Sequence, residues 1–312
     1  MSYKMIGSLL LVAGFGATMV SVSAQDNGDG STGESMAETP DLAKPTPNVV
    51  KTNVPAGFEL VWSDEFETDG LPDPAKWKYD TFRNEEGWFN NEKQYYAANR
   101  LENARVEGGN LIIEARKEEL GAARFADWGG QSYSSARLIT KDLGDWTYGF
   151  FEVRAKLPCG RGTWPAIWML PSDPDVVWPA GGEIDIMEHV GFDPGVIHHS
   201  IHTTAFNFSR GSQKTAKHDL PDACDKMHKY QLLWAPELLL FAVDDGPKFL
   251  FKKESSKPAR WPFDKPQHLL LNIAVGGTWG GREGIDAAAF PARMEVDYVR
   301  VYQPKKSQEA AQ

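Results

Sequence analysis

The alternation of apolar and polar residues that recurs along this chain restricts its fold more than any other feature. In TYGFFEVRAKL (147–157), Phe151, Val153, Ala155 and Leu157 share one parity, while Glu152, Arg154 and Lys156 share the other. Side chains of a strand alternate faces, so such a segment buries one face and wets the other. NLIIEARK (110–117), YQLLWAP (230–236), LLLFAVDDG (238–246), HLLLNIAVGG (268–277) and MEVDYVRVYQ (294–303) are further strand candidates, each closed by turn residues. Asp244-Asp245-Gly246 fits a hairpin turn. Only short segments such as DPAKW (73–77) look helical. Many closely spaced strands without intervening helices predict an all-β sandwich or barrel.

The ends of the chain are different in kind. Residues 1–24 combine a lysine near the start, an apolar run from about Ile6 to Val20, and Val22-Ser23-Ala24 at the end. This is the pattern of a cleaved export signal, with an uncleaved anchor as the alternative. No cysteine lies near the cleavage point, which excludes lipid attachment there. Residues 25–54 are rich in Gly, Ser, Thr, Pro and acids and read as a disordered linker. Residues 55–303 form the expected folded domain, and 304–312 a frayed tail. No other segment is apolar enough to span a membrane, so the expected location is periplasmic or secreted. Cys159 and Cys224 are the two cysteines. An oxidising compartment predicts that they pair, with two unrelated free thiols as the alternative. The net charge of −10 argues against a nucleic-acid partner.

One segment carries concentrated chemistry. GGEIDIMEHV (181–190) holds three carboxylates within six positions. As a helix it would place Glu183, Asp185 and Glu188 at about 0°, 200° and 140°, isolating Glu183. As a strand it places Glu183 and Asp185 on one face and Ile184 and Ile186 in the core, with Glu188 on the wrong parity. A β-bulge that inserts one surplus residue, Met187, returns Glu188 to the face of the other two. The outer Cα atoms are then roughly 13 Å apart, and inward-leaning side chains bring the carboxyls to about 5 Å. Retaining glycosidases hold their carboxyls about 5–5.5 Å apart, and inverting ones about 6.5–9.5 Å. Mutual repulsion raises at least one pKa, which suits a pair divided into nucleophile and acid. A calcium site built from the same oxygens and an inert acidic stripe are the alternatives.

Around the triplet lie RGTWPAIWMLPSD (161–173), with Trp164 and Trp168 on one strand parity, and GWFNNEKQYY (87–96), with Trp88, Asn90, Asn91 and Glu92. GGTWGG (276–281) sets Trp279 in a glycine loop. Aromatic faces beside amides and acids suit polyhydroxylated ligands, although most of the eleven tryptophans are expected in the core.

Together, VWSDEF, WFNNEKQYY, SSARLITK, YGFFEVRAKLP, GTWPAIWML, GGEIDIMEHV, SIHT, LNIAVGGTWGG and VDYVRVY resemble glycoside hydrolase family 16, in particular its bacterial laminarinases, over about Phe58 to Tyr302. The resemblance implies a β-jelly roll of two curved antiparallel sheets with a substrate cleft on the concave face. It implies Glu183 as nucleophile, Asp185 as its assistant and Glu188 as acid/base. It implies Trp164, Trp168, Asn90, Glu92 and Arg137 along the cleft, Trp279 at its rim, and His202 near the acid/base. A structural calcium on the convex face would match Glu65, Gly109 and Asp297, and the chemistry itself needs no cofactor. The expected activity is retaining endo-hydrolysis of 1,3-β-glucan by a monomer. Mixed-linkage glucan, agarose or carrageenan are alternative substrates, and a non-catalytic glucan-binding module is the alternative function.

Overall fold

The computed structural model describes residues 53–305. In chain order the strands are β1 (Phe58–Asp64), β2 (Lys78–Tyr79), β3 (Gln94–Tyr96), β4 (Ala104–Glu107), β5 (Asn110–Lys117), β6 (Tyr133–Ser135), β7 (Arg137–Ile139), β8 (Asp145–Trp146), β9 (Gly149–Lys156), β10 (Thr163–Pro171), β11 (Glu183–Glu188), β12 (Val196–His202), β13 (Lys214–Asp219), β14 (His228–Ala235), β15 (Leu238–Val243), β16 (Gly246–Lys252), β17 (Gln267–Val275) and β18 (Ala292–Pro304). Helical structure among the described residues is limited to three short 3₁₀ turns, at Phe89–Asn91, Phe208–Arg210 and Ala287–Ala289. Segment 73–77 is a turn rather than a helix: the Asp73 side chain accepts from the Ala75 N–H, and its carbonyl accepts from those of Lys76 and Trp77.

The strands form two sheets. The outer sheet has the order β16-β15-β14-β9-β18-β5-β6-β3, with β1 also on β18 and β4 on β5. The inner sheet has the order β13-β12-β11-β10-β17-β7-β2, with β8 also on β17. All pairings are antiparallel except that of β3 with β6, so the jelly-roll expectation holds with one local exception. The hairpin turn predicted at 244–246 joins β15 to β16 through Asp244 and Asp245, both at positive φ.

Alternation fills the space between the sheets. Ile167 and Met169 of β10, Ile184 and Ile186 of β11, and Leu269, Leu271 and Ile273 of β17 meet Phe151 and Val153 of β9 and Leu232 and Trp234 of β14. β17 is buried on both faces, and His268, Asn272 and Ala274 of its second face line the cleft. Cys159 and Cys224 are joined in a disulfide, their Cα atoms 5.8 Å apart. It ties the loop entering β10 of the inner sheet to the loop entering β14 of the outer one, beside a Leu157 N–H to Ala223 carbonyl bond.

The expected leader, the linker as far as residue 52, and the tail from residue 306 lie outside the described residues. Among the described residues no helix is long and apolar enough to cross a membrane.

Candidate active site

The three carboxylates come from β11, and both ends of this strand are sterically defined. Gly182 turns the chain into the strand at φ +81°, where a Cβ would come within 2.5 Å of the Phe263 ring. Gly191 closes the segment so tightly against Gly160 that a Cβ would lie 1.8 Å from its carbonyl oxygen. Between them runs the expected bulge. Against β12 the pairing steps from Asp185–Ser200 to Glu188–His198, three residues on β11 for two on its partner. Against β10 it steps from Trp168–Asp185 to Ile167–Met187. The unmatched residue is therefore Ile186, and not Met187 as expected, since Met187 keeps Ile167 as its partner. Both side chains enter the core, and Glu183, Asp185 and Glu188 all line one cleft.

This cleft, of about 580 Å³, opens along the concave face of the inner sheet. Trp164, Ala166 and Trp168 of β10 stand beside the acids, and Asn272 and Ala274 of β17 lie beyond them. Trp164 donates its indole N–H to Glu188 Oε1 at 3.1 Å. Trp168 donates to Asn272 Oδ1 at 2.7 Å, and the Asn272 amide donates to the Tyr96 hydroxyl at 2.9 Å. Trp168 thus belongs to the cleft and not to the core. Arg137 lies between the rings of Trp88 and Trp168, 5.0 and 4.8 Å from their centroids, and pairs with Asp80 at 3.0 Å. Its charge and its stacking are used together.

Asn90 and Asn91 both take left-handed φ, which Asn tolerates, and the turn they make brings the Asn90 amide to Glu92 Oε1 at 3.3 Å. Gln94 donates to the other oxygen of Glu92 at 2.8 Å and accepts from the Val275 N–H at 2.7 Å. Burial holds the Glu92 carboxyl above its usual range, against the opposing pull of Gln94, Arg137 and Asn90.

The acids differ from one another. Burial, followed by the charge of Asp185, pushes Glu183 up to about 8, while His202 and the Trp178 indole favour its ionised form. Burial likewise pushes Asp185 up to about 8, opposed by its hydrogen bond with Glu183. Glu188 stands well above the carboxylate range, through burial and the charges of both neighbours. Glu183 retains 16% exposure of its side chain and so meets cleft water, whereas Asp185 retains 3%. Three carboxyls on one buried face cannot all ionise, so the cluster retains at least one proton.

His202 does not lie where it was expected. It pairs across the strands with Glu183, its Nε2 3.8 Å from Glu183 Oε1 and 3.4 Å from Asp185 Oδ2, at the opposite end from Glu188. His198 holds the position across from Glu188. Trp178 was not anticipated: it reaches back from the loop before β11 and donates its indole N–H to Glu183 Oε2 at 2.8 Å. An apolar pair, Val177-Trp178, followed by Pro179 and Gly181-Gly182 just before the acids was the signal available in sequence. Asn272, a lone polar residue in the apolar run of β17, was the other.

The segment 91–300 matches the model of glycosyl hydrolases family 16, a span that includes both carboxylate glutamates and most of both sheets. The chain belongs to this family. The β-glucanase of Rhodothermus marinus is 52% identical over 253 residues, covering 78% of this chain and 85% of that protein. The crystal structure of the laminarinase from Rhodothermus marinus superposes with a TM-score of 0.74 at 52% identity, covering 79% and 97% of the two chains. SCLam, described as a non-specific endo-β-1,3(4)-glucanase of family 16, superposes with a TM-score of 0.78 at 55% identity, covering 82% and 94%.

Two expectations for a family 16 hydrolase fare differently on this frame. Trp279 is not among the residues lining the cleft; it packs edge-on against Trp164 at 5.2 Å and His198 at 4.9 Å, just beyond the Glu188 end. The two carboxylates among the calcium candidates are each paired with an arginine. Glu65 is held by a two-point ion pair with Arg300 (3.0 and 2.7 Å), and Asp297 by Arg154. Gly109 offers only backbone in the turn between β4 and β5. A cation there would compete with Arg300 for Glu65 and with Arg154 for one oxygen of Asp297, and could draw also on backbone carbonyls.

Proposed function

We propose that the protein hydrolyses 1,3-β-glucan internally, with retention of anomeric configuration. Glu183 attacks the anomeric carbon and forms a glycosyl-enzyme as the glycosidic C–O bond breaks, while Glu188 passes its proton to the leaving oxygen. Water, deprotonated by Glu188, then displaces Glu183 and restores both carboxyls. Asp185 stands beside Glu183 on the same cleft-facing side of β11 and keeps it oriented. Two carboxyl groups suffice for this chemistry, so no cofactor takes part. The observation that carries the reading is the bulge that puts Glu183 and Glu188 on one cleft-facing side of β11, where burial and the neighbouring acids raise the Glu188 carboxyl above its usual range.

We take the protein to act as a monomer. The disulfide supports an oxidising, exported location for the enzyme. The likeness to a non-specific endo-β-1,3(4)-glucanase favours mixed-linkage glucan as a second substrate. The test is incubation with laminarin, lichenan and agarose, sizing of the products, and NMR of the first-formed anomer. Oligosaccharides of β configuration from laminarin are expected. Inertness toward laminarin, or a first product of α configuration, would overturn the reading.

A further inference from the structure

Ile186 has no register partner on either side of β11. Because it and Met187 both turn into the core, the peptide between them leaves the plane of the ladder. A carbonyl buried there needs a donor from outside the sheet. His199 supplies one. It stands between Ile197 and Ile201 on the core face of β12, fully buried, with Nδ1 2.6 Å from the Ile186 carbonyl oxygen. The ring is stacked on His218 at 5.2 Å and 11°, and bordered by Phe241 at 5.5 Å. A carbonyl only accepts, so Nδ1 carries the proton. Burial pushes this imidazole down to about 3, which keeps it neutral with a single N–H to give.

We propose that His199 is a positioning residue for the hydrolysis: its Nδ1–H clamps the Ile186 carbonyl and so fixes the direction in which Asp185 and Glu188 leave the strand. The proposal rests on the reading of Glu183 and Glu188 as the reacting pair. His199 lies on the core side of the sheet and touches no substrate, so its effect passes through the backbone. A bulge is a place where a strand has two ways to distribute one surplus residue. Here the assisting acid Asp185 directly precedes the surplus Ile186, and the acid/base Glu188 follows it by two positions. A clamp on the Ile186 carbonyl selects between those arrangements.

Two variants and one measurement on the unaltered protein test this. His199→Leu keeps the volume and removes the donor; kcat is expected to fall roughly 100-fold, with KM within about threefold of the parent. His199→Asn returns an N–H near the place of Nδ1 and is expected to recover at least about tenfold of that loss. In the histidine-labelled, unaltered protein, nitrogen NMR is expected to show His199 as the Nδ1–H tautomer. Wild-type kcat in His199→Leu would overturn the proposal, as would a folded His199→Asn no better than His199→Leu. An Nε2–H tautomer would overturn it even if neither variant folds. Inertness of the unaltered protein toward glucans would sink the hydrolytic reading alone, because the tautomer still reports on the clamp.

Discussion

The indole of Trp178 offers a measurable handle on the nucleophile. Its N–H lies 2.8 Å from Glu183 Oε2, and its ring packs 5.3 Å from that of Phe208. Trp178→Phe keeps an aromatic ring in the loop and deletes the donor. A hydrogen bond to a charged group contributes about 1.5–3 kcal/mol. Trp178 is 38% exposed, so water replaces part of what is lost. A working figure is about 1.4 kcal/mol, which is one pKa unit. The sign follows from which form the donor stabilises. The indole N–H favours the carboxylate, so its removal raises the Glu183 pKa further. The nucleophile must be ionised to attack. The acid limb of kcat/KM against pH therefore moves upward by about one unit, and on that limb the variant is about tenfold slower. Above the limb the two proteins converge. Initial rates of reducing-end release from laminarin across the acid and neutral range give both profiles. A loss equal at every pH, with the limb unmoved, would reduce Trp178 to a wall of the cleft. A limb displaced downward would show the sign to be wrong.

Three further outcomes are expected. Glu188→Gln abolishes turnover and stabilises the protein at alkaline pH: a carboxyl raised above its ordinary 4.5 contributes stability below that value and loses it as pH climbs toward the folded-state pKa. Each kcal/mol recovered raises the melting temperature by about 2–4 °C, and calorimetry showing equal midpoints at alkaline pH would contradict this. Cys159→Ser opens a bridge spanning 65 residues and lowers stability by up to about 4 kcal/mol; an unchanged melting temperature would show that the bridge constrains nothing. Deleting Met187 leaves all three acids on one parity, yet removes the core partner of Ile167, and turnover on laminarin is expected to fall about 100-fold. Near-normal turnover would mean that parity is all the chemistry requires.

The sandwich was legible because apolar and polar residues alternate along strands such as β18, whose buried and more exposed positions alternate in turn over Ala292–Asp297. Even β17, dry on both faces, could be read as a strand from its bounding turns. The bulge was legible from a single contradiction, an acid of the wrong parity at Glu188. Its surplus residue was not, since Ile186 and Met187 are both apolar and both buried, and only the backbone register separates them. The place of His202 was misjudged by following resemblance alone. In an antiparallel pair the far end of β12 must return to the near end of β11, which brings His202 to Glu183. Trp178 and the parallel β3–β6 pairing depend on how loops return in space, and no local pattern encodes that.

The position of β18 has a consequence for how the molecule is made. This thirteen-residue strand lies inside the outer sheet, beside β9 along one edge and beside β5 and then β1 along the other. Phe58 meets Pro304, and Ala115 meets Ala292. During synthesis the sheet therefore has a gap at its centre until its last strand emerges. β1, formed first, waits longest for its partner. Closing such distant pairings is slow, and the open edges of β5 and β9 are exposed in the interval. A ribosome-bound chain halted before Ala292 is expected to bind hydrophobic-surface probes and to be degraded by protease, where one halted well past Pro304 resists.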